Sequence, residues 1–175
     1  AMYTDSPDQK ALSAQILGMS SQKVPDGPAQ KITIIRQRLV EGNYTDALRL
    51  CEEGHKNFPT HNGFLQLTGE TQLAMGNVEA AKSAFQRSIK LNTKDKISHS
   101  SLANLYFDLG KYVYAALSFS DVIFLDPDDS DARYMQGLSY FKAKEWGRAA
   151  AAWEDLLHYR PDNEVVRILL PQTYY

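Results

Sequence analysis

A period of 34 residues constrains this chain more than any other feature, because a repeat of that length fixes the architecture before any single element is considered. Glycines recur at Gly42, Gly76 and Gly110. Two residues beyond each stands a bulky side chain, Tyr44, Val78 and Tyr112, and the fourth register supplies Trp146. Three further on come Ala47, Ala81, Ala115 and Ala149, and four beyond those lie Cys51, Phe85, Phe119 and Trp153. The segments close on Pro59, Pro127 and Pro161, with Thr93 at the second closing position.

Each part of the pattern has a physical reading. Glycine takes the left-handed conformation of a helix C-terminus without a Cβ clash, so each glycine marks a place where a helix stops and the chain reverses. A small alanine lets the two helices of a pair approach closely while Phe85, Phe119 or Trp153 fills the space one turn on. Proline cannot continue a helix, and the acids and amides that follow, Asp128-Asp129 and Asp162-Asn163, are suited to cap the next one. The expected unit is a pair of antiparallel helices, repeated four times.

This spacing resembles the tetratricopeptide repeat family, whose first helix carries a large residue, a leucine, a small residue and a tyrosine in register. The matching residues here are Leu65, Thr68, Gly69 and Gln72, then His99, Leu102, Ala103 and Tyr106, then Arg133, Gln136, Gly137 and Tyr140. The repeats are drawn at 28–61, 62–95, 96–129 and 130–163, with an N-terminal helix and linker over 1–27 and a capping helix and tail over 164–175. The first repeat departs from the pattern at Ile34, Ile35 and Arg38, and the fourth places Lys144 at the turn glycine. The resemblance implies an all-α, right-handed superhelical solenoid.

At the N-terminus, Ser6-Pro7-Asp8-Gln9 reads as a helix start with an apolar stripe of Leu12, Ile16 and Met19, followed by the turn-rich Val24-Pro25-Asp26-Gly27-Pro28. An isolated helix of that length is marginal, so the stripe is expected to pack on the first repeat, on a groove or on a second copy. At the other end, residues 164–170 read as a helix covering the last repeat, stopped by Pro171. Ala1-Met2 reads as the end of an expression scar, so the chain is read as a piece of a longer protein whose leader or anchor it need not contain.

With 19 basic and 21 acidic residues in 175, the net charge of -2 leaves no excess to neutralise phosphates, and nucleic acid is not expected as the partner. An RNA-binding helical array is the weakest of the readings for the same reason. No apolar run approaches a membrane span. Phosphate-binding loops, nucleophile elbows and metal-spaced histidines are absent from the sequence, and His55, His61, His99 and His158 read as surface or packing residues. Cys51 reads as a buried packing residue. No catalytic, cofactor or metal site is expected.

What remains is the concave face that stacked first helices create, suited to an extended or helical peptide. By register it carries Arg36, Leu39 and Val40, then Gln66, Glu70, Leu73 and Ala74, then Ser100, Asn104, Phe107 and Asp108, then Tyr134, Leu138, Phe141 and Lys142. Aromatic side chains are enriched at interface hot spots, and an asparagine amide pairs with a peptide backbone of any sequence. Asn104, Phe107, Tyr134 and Phe141, with Leu138, Glu70 and Arg36, are the candidate contact residues, and core packing of the aromatics is the competing expectation. The Lys, Asn and Arg set with which some family members hold an acidic C-terminus is missing from the matching positions. The expected function is a protein-interaction scaffold, as in secretion and assembly machines, with self-association of the chain as the alternative. Bacterial cytoplasm and periplasm both fit.

Overall fold

The computed structural model describes residues 27–174, so the Leu12-Ile16-Met19 stripe, most of the linker and Tyr175 lie outside the described residues. Among the described residues there is no strand. Four helix pairs follow one another: α1 (Pro28–Val40) with α2 (Tyr44–Asn57), α3 (Gly63–Ala74) with α4 (Val78–Leu91), α5 (Lys96–Asp108) with α6 (Tyr112–Leu125), and α7 (Ser130–Lys142) with α8 (Trp146–Tyr159). A short α9 (Glu164–Leu169) and a 3-10 turn over Leu170–Thr173 follow. Consecutive helices pack on one another and α1 also touches α3, which is the neighbour-only contact pattern of a solenoid.

The turns inside the pairs are left-handed at their hinge residue, with φ of 72° at Gly42, 78° at Gly76 and 69° at Gly110. Lys144 takes the same conformation, at φ 62°, although that region costs an L-residue roughly 1–2 kcal/mol. The fourth turn keeps its neighbours' hydrogen bonds. Lys144 N donates to Phe141 O at 3.0 Å and Glu145 N to Tyr140 O at 2.9 Å, as Gly110 N donates to Phe107 O and Lys111 N to Tyr106 O, both at 2.9 Å. Turn geometry thus survives loss of the glycine because the helices on both sides over-determine it.

Between pairs, the acids and amides after the closing positions act as caps. Asp95 accepts from Ser98 N, Asp129 from Ala132 N and Asn163 from Val166 N. These three caps are themselves 34 residues apart.

Within each pair, one small and one large side chain meet at the crossing. A Cβ on Gly69 would stand 2.4 Å from Phe85, and one on Gly137 would stand 2.2 Å from Trp153. Ala103 faces Phe119 in the third pair's core. The first pair reverses the arrangement: Ile35 is the large residue, Cys51 the small one, and both are fully buried in one cluster. Total volume is conserved while its division between the helices is exchanged, the kind of swap a core tolerates best.

Ala81 and Ala115 are fully buried beside these crossings. Ala115→Leu inserts three heavy atoms where α5 and α6 meet and should cost about 1–3 kcal/mol by overpacking. Thermal unfolding measures it, and an unchanged melting curve would place Ala115 on an open surface and shift the whole register.

α9 lays Val166 against Trp153 and Leu156, closing the core of the last pair. Its outer face still presents Val165 and Ile168, exposed by 54% and 68%.

Candidate functional site

The side chains singled out on the first helices fall into two groups. Arg36 of α1 and Glu70 of α3 are brought together, with Nη1 and Oε2 3.8 Å apart. Burial pushes the Glu70 carboxyl up, against the opposing pull of the Arg36 charge. Asn104 is exposed on α5 and lines a shallow hollow with Ser100, Asp131 and Met135.

The aromatics are neither free nor fully buried. Phe107 packs on the Ala103–Phe119 core and meets Tyr112 edge-on at 5.3 Å. Tyr134, Leu138 and Phe141 are half-buried around Trp153. Phe141 is held between two indoles, 5.2 Å from Trp146 and 5.5 Å from Trp153. Tyr134 borders a second hollow with Ser130, Asp131, Asn163 and Val165. Each aromatic is therefore part-exposed while packed against a core cluster, an arrangement with little rotamer entropy left to lose on contact.

Gln66 departs from the expected face. It is buried, and its Nε2 donates to Asp95 Oδ1 at 2.5 Å. Asp95 also accepts from Ser88 Oγ at 2.8 Å and Ser98 N at 3.3 Å. The junction between the second and third pairs is thus polar at positions where the other junctions pair Gly54 with Phe64, Val122 with Ala132 and Leu156 with Val166. The sequence carried a signal for this in Ser88 and Ser98, which break an otherwise apolar series of period 34.

The described residues hold no cluster of His, Cys, Asp or Glu suited to a metal ion. Burial raises the Cys51 thiol to about 11, so a thiolate is not available there at neutral pH. No described helix is long and apolar enough to cross a membrane.

An array of stacked helix pairs with half-buried aromatics and an exposed asparagine on its first helices has the form of a protein-interaction scaffold. The tetratricopeptide repeat model matches residues 67–130 and 101–164, together more than half of the chain, and the chain belongs to that family. Members of the family are generally non-enzymatic scaffolds. The chain is 27% identical over 143 residues to Superkiller protein 3 of Schizosaccharomyces pombe, covering 82% of this chain and 10% of that protein. It therefore spans about a tenth of the length of that curated relative. Among solved structures, MamA from Desulfovibrio magneticus RS-1 aligns with a TM-score of 0.70 at 19% identity, covering 85% of this chain and 84% of that one. The first tetratricopeptide domain of Spaghetti (RPAP3), solved with the HSP90 peptide SRMEEVD, aligns with a TM-score of 0.54 at 18% identity, covering 63% of this chain and 87% of that one.

Proposed function

We propose that this chain recruits a partner protein by holding an extended or helical segment of it along the face of its first helices, chiefly between α5 and α7. The observation that carries this reading is the row of Phe107, Tyr134 and Phe141, each half-buried and rigidly backed, beside the exposed amide of Asn104. Two hollows, one at Asn104 and one at Tyr134, flank Asp131 and offer adjacent seats for successive side chains of a bound segment. The peptide carried by the Spaghetti domain is consistent with this use of the fold.

The test is a paired measurement on Phe107→Ala and Tyr134→Ala with a partner recovered by affinity capture. Truncating a hot spot should cost about 2 kcal/mol of binding, roughly a thirtyfold loss of affinity. Folding stability should change less than it does on removing a buried aromatic, about 3–5 kcal/mol. Large unfolding losses with unchanged affinity per folded molecule would assign both residues to the core and remove the support for this face.

Self-association of the chain is the second reading, and one observation favours it. The outward side of α6 presents Tyr114, Leu117 and Phe124, exposed by 62%, 52% and 85%, at helical spacing. Sedimentation at several concentrations separates the readings, because a concentration-independent monomer excludes the second.

A further inference from the structure

The fourth residue of each repeat faces a residue 22 positions later on the second helix, and in three registers a basic-type side chain there meets a carboxylate. Lys31 Nζ lies 3.1 Å from Glu53, His99 Nδ1 lies 3.8 Å from Asp121, and Arg133 pairs with Asp155. Arg133 also donates from Nη2 to the Pro127 carbonyl at 2.7 Å and lies 4.3 Å over the Tyr159 ring, so its side chain fills the cleft where α6 ends and α8 passes. His99 reaches the corresponding carbonyl, Thr93 O, at 3.2 Å.

The second register breaks this rule on both sides. Leu65 stands where the base should be and Arg87 where the acid should be. Among the described residues Arg87 has no carboxylate partner, and neither has Lys90 one turn on. The cleft that Arg133 occupies two repeats later is open here, about 490 Å³ against about 260 Å³ at the third register. Its walls are His55, Pro59, Leu65, Arg87, Lys90 and Leu91. The Nδ1 of His55 is buried there without a hydrogen-bond partner among the described residues.

We propose that this cleft, on the side formed by the ends of α2 and α4, is a second binding site for an acidic peptide segment of a partner, one that sets a carboxylate on Arg87 and Lys90 and an apolar side chain on Leu65 and Leu91. Charge complementarity selects the occupant. Two exposed cations one helical turn apart stand over an apolar floor, and a carboxylate beside a leucine or phenylalanine satisfies both at once. A nucleic acid is poorly matched, because two cations over leucine and proline make no basic stripe. The site is independent of the face proposed above, and either can fail alone.

The test uses the full chain and a fluorescein-labelled peptide of sequence GELEFG, with the charge-reversed GKLKFG as control, followed by fluorescence anisotropy and by backbone amide shifts. GELEFG should bind and shift amides around residues 55 and 87–91. Arg87→Glu with Lys90→Glu should weaken it at least about tenfold, and both side chains are exposed, so the fold is kept. Leu65→Arg with Arg87→Asp installs the pair found at Arg133 and Asp155 and should close the cleft with the same loss. Lys111→Glu, an exposed charge reversal outside both sites, should leave the affinity unchanged. No binding of GELEFG, equal binding of GKLKFG or of a single-stranded oligonucleotide, or affinity unaltered in the two double variants would each overturn the proposal.

Discussion

Replacing Trp153 by alanine should destabilise the domain by about 3–5 kcal/mol, the cost of emptying the site of a large buried aromatic. Trp153 is fully buried and is the hub of the last core, touched by Leu156, Val166, Leu138 and Phe141. Its indole donates to Tyr134 O at 3.3 Å, which fixes the ring against α7. Gly137 lies under that ring, and a Cβ there would come within 2.2 Å of Nε1 and 2.3 Å of Cδ1. Gly137→Ala alone should therefore cost about 2–3 kcal/mol, since the ring has no room to retreat. In the Trp153→Ala background the same substitution meets a cavity, and it should be neutral or stabilise by up to about 1 kcal/mol through helix propensity. Urea titrations of the four proteins form a double-mutant cycle. A glycine substitution equally harmful in both backgrounds would show that ring and glycine do not meet.

The same pair explains why the fold was legible in the sequence. A glycine and a tryptophan 16 positions apart mean little singly, but Gly69 with Phe85 and Ala103 with Phe119 repeat the spacing and the difference in size. The turn glycines and the caps at Asp129 and Asn163 were readable for the same reason, each being set by local backbone chemistry. Ile35 and Cys51 read as departures from the pattern because compensation between two helices is invisible when positions are compared one at a time. Lys144 is a departure of another kind, a residue held in a turn by the helices it joins.

The site was less legible than the fold. Register put Arg36, Glu70 and Asn104 on one face, and in the structure Arg36 and Glu70 lie 3.8 Å apart while Asn104 is exposed. It also placed Gln66 on that surface, where the structure buries it. An amide is drawn inward when an ionised carboxylate needs a donor, and nothing in a helical period announces that need. The open cleft at Arg87 was equally hidden, because it appears only when the residue 22 positions away is compared across four registers.

The polar junction yields the other large effect. Asp95 is buried and forms no ion pair among the described residues, and its carboxylate is held by Gln66 Nε2, Ser88 Oγ and Ser98 N. Asp95→Ala removes the N-cap of α5, worth about 1 kcal/mol, and leaves the amide of Gln66 short of a partner at about 1–3 kcal/mol, while Ser88 Oγ keeps Asn62 O at 3.4 Å. A total loss of about 2–4 kcal/mol is expected, approaching that of Trp153→Ala although little volume is removed. The electrostatics give this prediction a second edge. Burial pushes the Asp95 carboxyl up, but the hydrogen bonds from Ser98 and Ser88 outweigh it and hold the group below the ordinary aspartate range. A carboxylate depressed in the folded state stabilises fully above its unfolded pKa of about 3.9 and loses that contribution as pH falls through the folded value. Asp95→Asn keeps the shape and abolishes the titration. The stability gap between wild type and Asp95→Asn should therefore be widest near neutral pH and shrink as pH drops below about 4, while the other carboxylates cancel in the difference. Denaturant titrations of both proteins at pH 7 and pH 3 measure it: a gap that stays constant or widens in acid would mean that the three donors do not hold the ionised form, and that the junction is stabilised by packing alone.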